Sequence, residues 1–542
     1  MKNHQKTIVF LVFLLCCVGL RAGTSPAYAV VGCKLVIGNG IVIEDGALLI
    51  RDGLVHSVGP AAEFKIPADA QVVEGKGLIA YPGLIDAHTQ FFLKKQSPAP
   101  PGGASRDNEE VDLWKKADVL AYDLLEPKKS TREALHKIGV TTVVAVPGRE
   151  IFAGRSVILN LNGENRDDMV LKHSFGLHLN FVTSRGEYPS SLMGTMALIR
   201  QSFYDARHYG NHMRLFSESP GGLKRPTYNP FNEILLPYVN KEYPVVFNCA
   251  NLEDINRAVR LVEELDLKAV LSGANEAWRV ADVIKRSGLP LLVSLKFKPP
   301  SSSRYVRLGE DLKKKAEKNI YPANAAELHK AGIPFALTSN GLVKASDIGK
   351  AIQAAVKAGL PRVEVLKALT IHPARILGID KITGTLEAGK IANVILTQGE
   401  LFEEKSAVLH VFADGIHYEY KAPPKKKAEQ SPVSLNLSGK WNARVNAPTG
   451  ELVMTAEFKQ DGTLITGSLT SEMGRWTFTG QLEGTALTFT ITADIMGQSM
   501  EMEFSGKADQ DTIEGTIAVM GESAEFKATR IPDQGEKGGQ HE

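Results

Sequence analysis

Tyr81-Pro-Gly-Leu-Ile-Asp86-Ala-His88-Thr-Gln90 is the stretch on which the reading of this chain turns. It is an apolar strand, closing a run over 77–86, that ends in polar side chains. On a strand successive side chains alternate between faces, so positions 88 and 90 point to the same side. A pair of metal-binding side chains at that spacing can share one ion at the strand's C-terminal end.

Working outward, further apolar strands fall at 140–146, 243–249, 268–272, 289–295 and 333–338. Between them lie segments of 3.6-residue periodicity at 192–209, 253–265, 276–287 and 347–358, and one that opens on Ser130-Thr-Arg-Glu133, the form of a capping box. Strand followed by helix, repeated over roughly 250–300 residues, predicts a parallel sheet closed as a (β/α)8 barrel. The region 154–181 is richer in strand than one repeat needs. Short glycine-punctuated strands precede this alternation over 30–80 and follow it over 384–420, so the two flanks are expected to build a composite β-sandwich around a barrel at 81–383.

Residues 421–433 carry Pro-Pro, Lys-Lys-Lys and no apolar period, which marks a linker. Beyond it, 434–531 alternates apolar and polar residues over about eight short strands with no helix, the pattern of an antiparallel all-β barrel or sandwich. A barrel of that size either fills itself with side chains or holds one small ligand, so this domain is a second place where a ligand or partner can bind. The last stretch, 532–542, reads as a disordered tail.

At the other end, Met1 to Lys6 is polar and basic, Ile8 to Leu20 is almost wholly apolar, and Ala27-Tyr28-Ala29 puts small residues at −3 and −1. This is the layout of a signal peptide cut after Ala29, which predicts an exported protein, periplasmic or secreted. The apolar run is short of the roughly 20 residues that span a bilayer, and no other run is long enough, so no transmembrane segment is expected. Without Lys2, Lys6 and Arg21, the 63 basic residues fall to 60 against 61 acidic, a net charge of −1. A nearly neutral chain offers no electrostatic handle for nucleic acid. Of four cysteines two lie in the leader; Cys33 and Cys249 are expected as buried small hydrophobes. A homo-oligomer is compatible with all of this.

The opening stretch resembles the first barrel strand of the amidohydrolase superfamily, which runs Pro-Gly-(apolar)2-Asp-x-His-x-His. A second stretch, Ala368-Leu-Thr-Ile-His-Pro373-Ala-Arg-Ile-Leu-Gly378 with Gly384-Thr-Leu-Glu387-Ala-Gly-Lys390-Ile-Ala-Asn393, is similar to the family's terminal helix and its return to the sandwich. Imidazolonepropionase-like and prolidase-like metal-dependent hydrolases are the nearest in pattern. Gly384-x4-Gly389-Lys390 also resembles a phosphate-binding loop, but Ile391 stands where Ser or Thr would hold Mg2+, so nucleotide binding is rejected. No Gly-x-Ser-x-Gly elbow supports a serine hydrolase.

The resemblance implies hydrolysis of amide C–N bonds at a metal held by the two strand-one histidines, a Lys or Glu on strand four, histidines on strands five and six, and an Asp on strand eight. Here His88 remains, but Gln90, Asn248, Ser272 and Asn340 occupy the other matching positions, and Asn393 replaces a frequent Asp. Asn and Gln are neutral, weak ligands for zinc and cannot serve as general bases. The metal site is therefore read as degenerate, with His88 a remnant ligand and at most one weakly bound zinc as cofactor. Two readings follow. A hydrolase of a cyclic amide or small peptide would work around Asp86, His88, Lys172 and His178, the last two on the candidate fourth strand. A pseudoenzyme would capture a small molecule or small peptide in the barrel mouth with Gln90, Asn248, Ser272 and Asn340 as hydrogen-bonding groups.

Overall fold

The computed structural model describes residues 26–94, 116–148, 150–184, 188–298, 310–403, 405–422, 435–447, 450–472, 474–495, 498–519 and 522–532. The leader through residue 25, the linker from 423 and the tail from 533 lie outside these. The chain forms two compact units that divide between Pro423 and Pro424.

Five strands open the first unit: β1 (Ala27–Val36), β2 (Val42–Arg51), β3 (Leu54–Pro60), β4 (Ala70–Glu74) and β5 (Leu78–Pro82). The cut expected after Ala29 falls inside β1. Tyr28 pairs with Ile50, Ala29 pairs with Leu49 and Val72, and Ala29 is fully buried. The single apolar run at 77–86 also divides. Gly83 separates β5 from β6 (Leu84–Thr89), and a Cβ at 83 would collide with Thr141. The Pro-Gly pair thus hands the chain from one sheet to another.

β6 pairs in parallel with β7 (Val140–Ala145). Next come β8 (Phe152–Arg155), β9 (Val157–Asn160), β10 (Val170–Lys172) and β11 (Leu177–Asn180). β9 runs antiparallel to β7 and β8 antiparallel to β11. The third barrel position is thereby filled by one bent, reversed strand, which accounts for the excess of strand-like sequence at 154–181. From β11 onward the order is parallel: β12 (Val245–Cys249), β13 (Ala269–Gly273), β14 (Leu291–Ser294) and β15 (Ala336–Thr338). The ring closes where the Ser339 N–H donates to Asp86 Oδ1 at 2.9 Å.

One interior layer packs Ile85, Val144, Ile158, Val246, Val270 and Leu292, each from a different strand. Ala374 and Leu377 of the helix Ile371–Leu377 join that cluster. An outer core binds strands to helices. Helix Leu252–Leu265 shows why these segments are helical: Asn251 caps it by accepting from the Asp254 N–H at 2.9 Å, and Ile255, Ala258, Val259, Val262 and Leu265 bury one face. The capping box at Ser130 does not form. That helix, Lys129–His136, begins one residue earlier, with Lys128 as an N-cap that makes no side-chain bond.

The chain returns through β16 (Val394–Gln398), β17 (Ala407–Ala413) and β18 (Ile416–Glu419) to join the first flank. The expected sandwich is one eight-stranded sheet, ordered β18-β17-β16-β5-β1-β2-β3 with β4 beside β1. Both flanks share its core, Val30, Leu48 and Ile50 meeting Leu386, Val394 and Phe412. Asn393 ties this layer to the barrel. Its amide donates to Thr142 and Asn160, each at 3.1 Å, and its carbonyl accepts from the Asp414 N–H. Donation to two oxygen acceptors is something an ionised Asp could not supply. Lys390 is committed to Thr385 and Glu387, leaving no phosphate cradle.

The second unit is a closed antiparallel barrel of eight strands between Gly439 and Arg530. Rings fill it: Phe489 stacks on Phe504 at 4.4 Å and meets Phe478, tilted by 33°, at 4.6 Å. A Cβ at Gly515 would lie 2.7 Å from the Phe504 ring, so the glycine makes room for it. Among the described residues this barrel packs its own interior.

Candidate functional site

The C-terminal ends of the barrel strands enclose a cavity of about 240 Å³. His88 and Gln90 reach it from the end of β6, His178 and Asn180 from β11, Asn248 from β12, Ser294 and Lys296 from the end of β14, and Asn340 and Gly341 from the turn after β15. Parallel strands buried on both faces expose polar chemistry only at this rim, which is where a barrel of this type carries its site.

A chain of amides crosses the rim in one direction. Asn340 Nδ2 donates to Asn248 Oδ1 at 3.0 Å, Asn248 Nδ2 to Asn180 Oδ1 at 2.9 Å, and Asn180 Nδ2 to the Glu150 carbonyl at 2.8 Å. The backbone carbonyl at the end can only accept, so it orients all three amides.

His88 is buried, and its Nδ1 lies 2.7 Å from Ser272 Oγ. Its partner is thus the strand-six hydroxyl. The His178 ring stands edge-on to it at 5.5 Å. Burial pushes the His88 imidazole down to about 3, and burial first, with His88 second, holds His178 well below its ordinary range. Both are neutral at pH 7. His178 is 2% exposed, yet neither of its ring nitrogens has a partner among the described residues, and Asn275 Oδ1 at the same cavity is likewise unpaired. Each such buried polar group costs about 1–3 kcal/mol when left unsatisfied.

Asp86 lies within the barrel wall and does not line the cavity. Its carboxylate accepts from the Ser339 N–H, the Ser339 hydroxyl and the His88 N–H. Burial outweighs these bonds and raises its pKa to about 6. Ser272 is fully buried, bonds to His88 and is not among the residues that line the cavity. Lys172 falls outside the site: it belongs to β10, an edge strand paired to β9, and the true fourth strand is β11. Asn180, Asn275, Ser294 and Lys296 were not legible as site residues. His178-Leu-Asn180 repeats the two-residue spacing of His88-Thr-Gln90, which is the signal available for Asn180; Lys296 lies just past the apolar run that ends at Leu295.

A catalytic zinc is held by three protein ligands and a water. Two imidazoles face this cavity, while Asn340 spends its amide N–H on Asn248 and Asn248 spends its own on Asn180. Among the described residues no group of three or more His, Cys, Asp or Glu is placed to hold an ion. The residues present do not fit a tightly held catalytic zinc. Cys33 and Cys249 are buried free thiols.

Fold and rim together define an amidohydrolase-type barrel whose mouth is built of neutral amides and two imidazoles. The model of the "Amidohydrolase family" matches residues 277–417. An imidazolonepropionase of Bacillus cytotoxicus is 29% identical over 127 residues, 20% of this chain and 28% of its own length. Amidohydrolase tasK of Hapsidospora irregularis is 22% identical over 401 residues, 68% of this chain and 39% of its own. The chain therefore spans well under half the length of these curated relatives. An amidohydrolase structure from Thermotoga maritima superposes with a TM-score of 0.61 at 24% identity, covering 72% of this chain and all of that one, a likeness of fold. The chain is thus similar to amidohydrolases in sequence over residues 277–417 and in fold over 72% of its length.

Proposed function

We propose that this chain is an exported member of the superfamily whose barrel mouth captures a small polar molecule without a tightly held metal. The observation that carries the reading is His178, buried at the cavity with two unpartnered nitrogens beside an amide chain of fixed direction. Unsatisfied polar groups in a formed cavity are what a ligand satisfies on binding. Export rests on the basic start and the apolar run of the leader.

Superfamily membership favours a second reading, in which the mouth still hydrolyses an amide C–N bond with His88 as the group nearest the reacting atoms. Both are tested on one preparation. Purified protein is assayed for bound Zn, Mn, Fe and Co, then for release of amine from N-acyl amino acids and cyclic amides, with His88→Ala as control. Stoichiometric metal together with turnover lost in His88→Ala would overturn the binding reading; metal-free protein that binds such compounds unchanged supports it.

A further inference from the structure

One charged side chain, Lys296, lies among the described residues that line the cavity. It sits two residues beyond Ser294, the last residue of β14, on the side of the strand that Ser294 occupies. Ser294 Oγ accepts from the Lys296 N–H at 2.9 Å and donates to the Asn340 carbonyl at 2.6 Å, which binds the ends of strands seven and eight together beneath the lysine. The stem is seated across Gly341. A Cβ at 341 would lie 2.8 Å from Lys296 Cδ, and Gly341 adopts a φ of +83° that favours glycine independently. Lys296 is half-buried, and no carboxylate among the described residues pairs with it.

Among the described residues, opposite charge is therefore missing from a cavity whose other polar groups are neutral. The two histidines carry no charge at pH 7, and no Asp or Glu is among the described residues that line the mouth. A positive side chain set into a concave wall of low dielectric attracts and orients an anion. At the cavity, Asn275 Oδ1 has no donor among the described residues, and His178 offers one N–H and one acceptor nitrogen that no described residue uses. The space of about 240 Å³ admits a molecule of a few heavy-atom groups and excludes a folded partner.

We infer that the occupant is a small carboxylate that also carries an N–H or O–H donor, its anionic end received by Lys296 and its neutral end by Asn275 and His178. This rests on the reading of the mouth as a binding pocket and adds charge selectivity to it. Nothing in the selectivity depends on hydrolysis, so the test reads binding alone.

A matched panel of N-acetyl amino acids and their primary amides is titrated into the full chain by calorimetry, alongside Lys296→Met and Lys296→Arg variants. Lys296→Met keeps the stem over Gly341 and removes the charge; circular dichroism establishes that both variants fold as the parent does. Each carboxylate is expected to bind at least about tenfold more tightly than its amide, with the preference lost in Lys296→Met and kept in Lys296→Arg. Equal binding of acids and amides, or a preference that survives Lys296→Met, overturns the anion assignment and leaves the pocket reading standing. Absence of binding by every member of the panel overturns both.

Discussion

Asn248→Asp is nearly isosteric and changes one property, the ability to donate. In the native rim Asn248 Nδ2 gives its hydrogen to Asn180 Oδ1 at 2.9 Å, while Asn180 cannot turn round because its own amide is spent on the Glu150 carbonyl. An aspartate at 248 would set two acceptors against each other at that distance. The loss comprises one hydrogen bond, about 0.5–1.5 kcal/mol, and an unsatisfied oxygen on Asn180, a further 1–3 kcal/mol or so. The contact with Asn340 Nδ2 is kept and becomes charge-assisted, which returns about 1 kcal/mol. A net destabilisation of about 1–3 kcal/mol at pH 7 is expected. Protonating the new carboxyl restores a donor, so the penalty shrinks when the same comparison is made at pH 5. Urea unfolding followed by the helical circular dichroism band reports this unit alone, because all described helices lie before Pro423. A difference from the parent below about 0.5 kcal/mol, or one that does not change between the two pH values, would refute the directed amide chain.

His178→Phe removes two buried, unpartnered nitrogens, so it is expected to stabilise the barrel by up to about 1–2 kcal/mol while weakening ligand binding; a loss of stability would mean those nitrogens are satisfied in solution. The histidine pair also sets an acid limit. Both imidazoles titrate in the fold below their unfolded value of 6.5, so their stabilisation is present above that pH and lost as pH falls through it. Asp86, raised to about 6 from 3.8, binds its proton more readily in the fold and offsets one histidine in that interval. His136, which burial lowers to about 4, adds to the loss, so stability should decline as pH falls below 6, and chemical denaturation across pH 4–7 checks it. Gln90→His, Asn248→His and Asn340→Asp together return imidazoles and a carboxylate to the strand ends beside His88, and calorimetry should show zinc affinity at least about 100-fold above the parent, some 2.7 kcal/mol. Unchanged affinity in a folded triple variant would mean that these positions do not converge. In the leader, Ala27–Ala29 are paired and Ala29 is buried, so the mature N-terminus of exported protein is expected at or before Ala27, a change from the cut after Ala29; Edman sequencing that starts at Val30 would show that β1 forms without them.

The sequence by itself determined the barrel and the all-β second unit, because these depend on local periodicities: strand and helix alternate in period 2.0 and 3.6, and Pro82-Gly83 with Asp86 and His88 marks the first strand. It also placed His88, Gln90, Asn248 and Asn340 at strand ends, since a strand end is read from where an apolar run stops. Tertiary structure decided the rest. Residues 152–160 run against the barrel because they hydrogen-bond to β7 and β11 at once, a pairing between segments distant in sequence. That reversal makes β11 the fourth strand, brings His178 within 5.5 Å of His88 and leaves Lys172 on an edge. The direction of the amide chain, the burial that keeps both imidazoles neutral, and the seating of Lys296 over Gly341 depend on which strands become neighbours around a closed ring. Only closure brings residues up to some 250 positions apart into contact, as Asp86 and Ser339 are, and no local pattern of side chains encodes it.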